Sequence, residues 1–199
     1  MGKGQWRESL RTMAAALGRD EKAEEVIQQY EVRIADARVD LANVAAAHPK
    51  LLLLAANHLE EGAFVFSADS YLGELLSGVG FQLIAHPSAN INPNAPISIE
   101  ALPKLDDADT IIILGWDFDK LYQVSETPEQ SADKSIEWIE THQVQAIKQD
   151  WEANAIAQSL TASQENRVYF ATFYKWNGLN GPIGAELILE RLRQFLLKD

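Results

Sequence analysis

The stretch "LLLLAA" (residues 51–56) decides the fold class of this chain. Six apolar residues in a row, with no alternation of polar and apolar positions, are typical of a strand buried on both faces of a parallel sheet. The stretch "DTIIILGW" (109–116) has the same character and predicts a second strand of this kind. Both runs therefore favour a sheet that helices cover on each side.

Shorter patterns around these strands alternate between helix and strand. Asp69 and Ser98 are the expected N-caps of two helices, and Gly78 or Gly80 is expected to end the first of them. The predicted elements are a helix in 69–80, a strand at 81–85, a short helix at 98–105, a helix at 151–160, a strand at 167–173 and a closing helix at 184–197. Their order predicts an α/β fold with a doubly wound, mainly parallel sheet flanked by helices.

A long helix is predicted before this sheet. Residues 9–47 have helical spacing with one interruption at "LGRDE", where Asp20 is a suitable N-cap. After the interruption, about 25 residues at 1.5 Å each give roughly 35 Å, which is long for a small domain. Such a helix either connects two domains or packs against a single domain. The sequence therefore predicts a long-helix region at 1–47 and an α/β domain at 48–199.

Composition excludes several classes of protein. The 17 Lys and Arg against 29 Asp and Glu give a net charge of −12, so a basic surface for nucleic acid is not expected. The absence of cysteine excludes disulfides and thiolate metal sites. The longest apolar run is too short to span a bilayer, and the first residues do not resemble a secretory signal.

Ligands of doubly wound sheets bind beyond the carboxyl ends of the strands. This rule selects the loops at 57–63, 86–94, 115–119 and 174–180. The candidate ligand-binding residues in or next to these loops are His58, Phe64, Asn90, Trp116, Tyr174, Lys175 and Trp176. Their aromatic faces suit a bulky, partly aromatic ligand, and Lys175 would attract an anionic group. Phe66 and Phe173 are expected to pack inward.

Catalytic and nucleotide-binding motifs are absent from the sequence. It contains no G-x-S-x-G, no Walker loop and no G-x-G-x-x-G after the first strand. We therefore expect a binding protein that is not an enzyme, with no cofactor and no resident metal. Three alternatives stay open: haem or metal binding by His58, His86 and Tyr174, a small α/β enzyme that uses Asp117 or Asp119, and an interaction module that uses the acidic surface.

Four segments, in order, resemble one family. They are "WRESLRTMAAALGRDEKAEEVIQQYEVRI", "FVFSADSYLGELLSGVGF", "ISIEALPKLDDADTIIIL" and "RVYFATFYKWNGLNGPIGAELILERL". The chain is similar to the C-terminal part of substrate-binding proteins of ABC importers for ferric siderophores, haem and cobalamin. The resemblance covers about residues 6–115 and 150–197, and residues 117–150 depart from it.

The resemblance implies an interlobe helix and the second of two lobes, which hold a ferric siderophore between them and deliver it to a membrane permease. The full-length protein would be periplasmic or membrane-anchored outside the cytoplasm, and an N-terminal lobe would be missing from this chain. Tyr174 and Trp176 would stack on the ligand, Asn90 would lie in a ligand-facing loop, and Glu100 would pair with a permease arginine. The siderophore's own oxygens would hold the iron.

Overall fold

The apolar runs of the sequence form strands in the structure, a computed structural model that describes residues 2, 4–88, 92, 95–116 and 136–197. The helices are α1 (Gln5–Ala16), α2 (Asp20–Asp40), α3 (Ala42–Ala47), α4 (Tyr71–Val79), α5 (Ile136–Ala153), α6 (Ala155–Ser159), α7 (Thr161–Gln164) and α8 (Pro182–Leu196). The strands are β1 (Lys50–Ala56), β2 (Phe64–Val65), β3 (Gln82–Leu83), β4 (Thr110–Gly115) and β5 (Val168–Thr172). Short 3-10 helices occupy Leu59–Glu61 and Ile99–Leu105, and a single π-type turn occupies Tyr174–Gly178.

The chain divides into two compact units. The first unit contains Met1–Leu51, Phe66–Ala85 and Tyr174–Asp199, and the second contains Leu52–Val65 and His86–Phe173. The predicted division into residues 1–47 and 48–199 stays a prediction. Among the described residues, no helix combines the length and the apolar character needed to cross a membrane.

The second unit is built on the predicted buried sheet. Its strands lie in the order β2-β1-β4-β5, with β1 and β2 antiparallel and β4 and β5 parallel. The side chains of residues 51–56 and 110–114 are at most 1% exposed, as expected for strands covered on both faces. Helix α5 packs on β4 and β5. The prediction of an α/β fold with a mainly parallel sheet flanked by helices is confirmed.

In the first unit, the long α2 is the central helix. It contacts α1, α4 and α8, and its buried residues are Ala23, Ile27, Tyr30, Ile34 and Ala37. These positions are spaced by three or four residues, so the apolar stripe seen in the sequence is the buried face of the helix. Strand β3 pairs in parallel with the first residues of β1, where Lys50 lies opposite Gln82.

Arg7 joins α1 to the rest of the first unit. Its guanidinium carbon lies 4.7 Å from the ring centroid of Trp6 and 4.8 Å from that of Tyr30. Its terminal nitrogens reach Glu74 at 2.7 Å and Glu31 at 2.5 Å. The side chains of Arg7 and Glu74 are only 15% and 18% exposed, so solvent screens this pair less than a surface pair.

Three predicted local features differ from the structure. Helix α4 is capped by Ser70 and not by Asp69, because the Ser70 hydroxyl accepts the N–H of Gly73 at 3.0 Å. Ser98 precedes a 3-10 helix, and its side chain makes no capping hydrogen bond. The predicted helix at 151–160 is interrupted at Asn154, whose side chain caps the next helix by accepting two backbone N–H groups at 3.0 Å.

Replacing Arg7 with alanine should lower the free energy of unfolding by about 2–4 kcal/mol. It leaves the poorly solvated Glu74 carboxylate without its charged partner, with the N–H of Gly4 still bound, and removes two cation–π contacts. Arg11→Ala is the matched control on the same helix, since its pair with Glu24 is 50% and 57% exposed and should contribute less than about 1 kcal/mol. Urea unfolding followed by circular dichroism measures both values. Equal losses of unfolding free energy in the two variants would contradict the proposed stabilising role of Arg7.

Candidate ligand-binding site

Three aromatic side chains meet beyond the ends of two parallel strands in the second unit. Trp116 follows β4, and Phe173 follows β5, with ring centroids 5.3 Å apart at an interplanar angle of 65°. Phe64 of β2 lies 6.2 Å from Trp116 and is 43% exposed. We call these three residues the aromatic rim. Because Gly115 lies opposite Thr172 in the parallel ladder, the two strands deliver Trp116 and Phe173 to the same edge.

The rim agrees only in part with the sequence expectations. Phe64 and Trp116 were both expected beside the ligand, and the structure brings them together. Phe173 was expected to pack inward, but it is only partly buried and forms the edge contact with Trp116. Its sequence position, directly after a strand and one residue before a predicted ligand loop, was the signal that could have identified it.

Gly115 allows helix α5 to close onto the end of β4. A Cβ atom at this position would lie 2.6 Å from the carbonyl oxygen of Gln143 and 3.0 Å from the Cα of Val144. Gln143 itself is 2% exposed, and its Oε1 has no hydrogen-bond partner among the described residues. The close backbone approach therefore fixes the position from which Trp116 leaves the sheet.

His58 lies just beyond the end of β1 and contacts an aspartate of α5. Its Nδ1 is 3.1 Å from Oδ2 of Asp150, and the same oxygen accepts the backbone N–H of Leu59 at 3.0 Å. The side chains of His58 and Asp150 are 38% and 35% exposed. Sequence reasoning selected His58 but missed Asp150, because 92 residues separate them and no local pattern connects them.

The turn after β5 belongs to the first unit, and its three candidate residues differ in burial. Trp176 is 2% exposed, so the expectation that it offers an open face to a ligand is wrong. Tyr174 and Lys175 are partly buried. Burial raises the pKa of the Tyr174 hydroxyl. Burial, followed by the nearby positive charge of Arg191, lowers the pKa of Lys175.

His86 is not available as a ligand. Its Nδ1 accepts the backbone N–H of Ser88 at 2.9 Å, and its Nε2 lies 3.0 Å from the carbonyl oxygen of Ala95. The side chain is 8% exposed. Both ring nitrogens therefore hold the loop that carries them, which removes one of the three groups proposed for haem or metal binding.

The described residues contain no group of three histidine, aspartate or glutamate side chains that could hold a metal ion. Other expected residues cannot be compared with the structure. Asn90, Asp117 and Asp119 lie outside the described residues. The predicted role of Asn90 in ligand binding stays a prediction for that reason.

Glu100 lies exposed in the first turn of the 3-10 helix Ile99–Leu105. The hydroxyl of Ser98 donates a hydrogen bond to its carboxylate and lowers the pKa of Glu100, and the backbone N–H of Glu100 acts in the same direction. Ser98 was expected to cap this helix, but its side chain makes no capping hydrogen bond. An exposed acid of this kind is available to a basic partner.

The described residues form an α/β domain with an aromatic rim at the carboxyl edge of a parallel strand pair. The sequence matches the family described as periplasmic binding protein over residues 2–174, and the chain belongs to that family. The family expected from the sequence is thereby confirmed. No curated protein matches the sequence.

Solved structures of similar fold include SirA and FeuA. SirA from Staphylococcus aureus matches with a TM-score of 0.68 at 20% identity, over 97% of this chain and 65% of that one. FeuA from Bacillus subtilis, solved with ferri-bacillibactin, matches with a TM-score of 0.66 at 21% identity, over 96% of this chain and 59% of that one. SirA has also been solved with staphyloferrin B, and that structure matches with a TM-score of 0.67 at 19% identity, over 97% of this chain and 61% of that one. The chain spans less than two thirds of each of these proteins.

Adding a methyl group at Gly115 should disturb the rim. We expect Gly115→Ala to lower the free energy of unfolding by about 1–3 kcal/mol, because the new Cβ overlaps the backbone of α5, and to shift the tryptophan emission as Trp116 moves. Gly178→Ala is the control, since a Cβ there meets nothing within 4 Å. Denaturant unfolding and emission spectra measure these effects. Wild-type stability and emission in Gly115→Ala would contradict the described packing.

Proposed function

We propose that this chain is part of a substrate-binding protein of an ABC importer, which binds a ferric siderophore and delivers it to a membrane permease. Membership of the periplasmic binding protein family supports the transport role. The observation that carries the choice of ligand is the aromatic rim, because it combines flat apolar faces with exposure at a sheet edge. Solved proteins of similar fold were crystallised with staphyloferrin B and ferri-bacillibactin.

The chemistry of a ferric siderophore fits the described side chains. The siderophore's oxygens surround the iron, so the protein needs surfaces for the organic shell and does not need metal ligands. The rings of Phe64 and Trp116 would stack on that shell, each pair contributing about 0.5–1.5 kcal/mol. His58 would add a polar contact. The ligand contacts expected of Tyr174 and Lys175, which belong to the first unit, stay predictions. A role without catalysis and without a cofactor belongs to the same proposal.

We propose an additional N-terminal lobe that closes on the ligand, and a location in the periplasm or on the outer side of the cytoplasmic membrane. One lobe alone would contact only part of the ligand, so its affinity should be lower by orders of magnitude. Haem or metal binding by the protein is less well supported, since His86 has both ring nitrogens engaged.

Titration of the chain with ferric staphyloferrin B or ferri-bacillibactin should change its tryptophan fluorescence, with weak affinity for the isolated chain. Phe64→Ala should weaken binding by about three- to ten-fold, because it removes an exposed ring of the rim. Leu197→Ala is the matched control, since Leu197 is 44% exposed and lies at the end of α8. Absence of binding up to millimolar concentration would overturn the proposed function, and nanomolar binding by the isolated chain would overturn the need for a second lobe.

Glu100 is the proposed contact with the permease. Glu100→Ala should leave siderophore binding unchanged and should weaken docking of the full-length protein to the permease by about ten-fold or more, because a carboxylate desolvated beside an arginine is lost. Docking is measured with the transporter reconstituted in lipid vesicles. Glu21→Ala, an exposed acid in the first turn of α2, is the control. Unaltered docking of Glu100→Ala would remove this assignment.

A further inference from the structure

The contact between His58 and Asp150 determines the position of the imidazole ring and also its tautomer. Asp150 Oδ2 accepts the backbone N–H of Leu59 at 3.0 Å and lies 3.1 Å from His58 Nδ1. An aspartate carboxylate at neutral pH can only accept hydrogen bonds. The proton of the neutral imidazole must therefore be on Nδ1, which leaves Nε2 with its lone pair.

We propose that Asp150 is a positioning residue that sets the tautomer of His58, so that Nε2 accepts a hydrogen bond from an N–H or O–H group of the ligand. The identity of the ligand rests on the proposed function, whereas the tautomer does not. This assignment makes the end of β1 selective for siderophores whose organic shell carries a hydrogen-bond donor. A site that accepts a hydrogen bond discriminates against a ligand that cannot donate one, because the acceptor is then desolvated without a partner.

The exposure of His58 supports a role towards a ligand. Its side chain is 38% exposed, and within the described part of the chain its Nε2 makes no hydrogen bond. His86 shows the opposite arrangement, since its Nδ1 accepts a backbone N–H and its Nε2 faces a carbonyl oxygen. His86 is therefore held as the Nε2–H tautomer, with both nitrogens occupied. Asp150 determines the tautomer of His58, whereas the backbone N–H of Ser88 determines that of His86. Of the two, only His58 keeps one ring nitrogen free of a hydrogen bond among the described residues.

The elements that carry His58 and Asp150 are packed against the core. Asp150 lies in α5, which packs on β4, β5 and the 3-10 helix Leu59–Glu61. Leu59 is 3% exposed and anchors the turn whose N–H group binds Asp150. A ligand that approaches the ring therefore meets an acceptor whose orientation is set before binding, which reduces the entropy lost on binding.

The first experiment determines the tautomers by ¹⁵N NMR of labelled histidine at about pH 8, above the ordinary pKa of imidazole. In the wild-type chain, His58 should carry its proton on Nδ1 and His86 on Nε2, so that His86 is an internal control. Asp150→Ala should move His58 towards the Nε2–H tautomer and leave His86 unchanged. Asp150→Asn should restore the wild-type tautomer, because the amide oxygen can accept the same two hydrogen bonds. An Nε2–H tautomer in the wild type, or no change in Asp150→Ala, would overturn the proposal.

The second experiment measures the binding of ferri-bacillibactin and ferric staphyloferrin B to the same variants. Asp150→Ala and His58→Phe should each weaken binding of at least one complex by about five-fold, and the double variant should be no weaker than either, because both changes remove one hydrogen bond. Glu152→Ala, an exposed position on the same helix, is the control and should bind like the wild type.

The outcomes separate this inference from the proposed function. If the wild-type chain binds a ferric complex and Asp150→Ala binds it equally well, the acceptor role of His58 is overturned and the proposed function stands. If the wild-type chain binds neither complex, the proposed function and the acceptor role both fail. The NMR experiment still decides whether Asp150 sets the tautomer. Additive losses in the two single variants would also contradict the proposal.

Discussion

The parallel pairing of β4 with β5 is the constraint on which the candidate site depends. Residues 111–115 lie opposite 168–172 in an unbroken register, so the two strands end together. Since the carboxyl ends of parallel strands share one edge, the next residue of each strand, Trp116 and Phe173, must be neighbours. A shift of one residue would turn every side chain of one strand to the opposite face and would separate these rings. The pairing of a fully buried strand with its neighbour thus determines the geometry of the aromatic rim.

Glycine at position 115 completes this arrangement. The backbone of α5 approaches so closely at Gln143 that no side chain fits there. The same helix carries Asp150, which binds His58 beyond the end of β1. One helix therefore positions two features of the site, the rim through backbone contact with β4 and the histidine through a carboxylate. Both depend on the packing of α5 against the sheet, which is part of the core.

Much of the fold was predictable, because it follows from local patterns of apolar residues. The runs at 51–56 and 109–116 are typical of buried strands, and apolar residues spaced by three and four positions after Asp20 indicate one face of a helix. The boundaries were less predictable. Ser70 caps α4 although Asp69 is an equally good capping residue, since the choice depends on which side chain reaches the N–H of Gly73.

The site was predictable only where it follows directly from strand ends. Phe64 and Trp116 were found in this way, whereas the burial of Trp176 was missed because a π-type turn directs its side chain inward. Nothing in the local sequence distinguishes such a turn from an open loop. Asp150 was missed for another reason: its contact with His58 joins residues that are far apart in the chain, and single-sequence patterns carry no information on such pairs.

Phe64 differs from the rest of the rim in how little of the core depends on it. It lies in a two-residue strand at one end of the sheet and is 43% exposed, whereas Trp116 and Phe173 directly follow β4 and β5, which pair over five residues. Substitutions at position 64 should therefore cost little stability, whereas substitutions at the ends of β4 and β5 should destabilise the fold. A single substitution at position 64 can therefore change the exposed surface of the rim and leave the buried sheet intact.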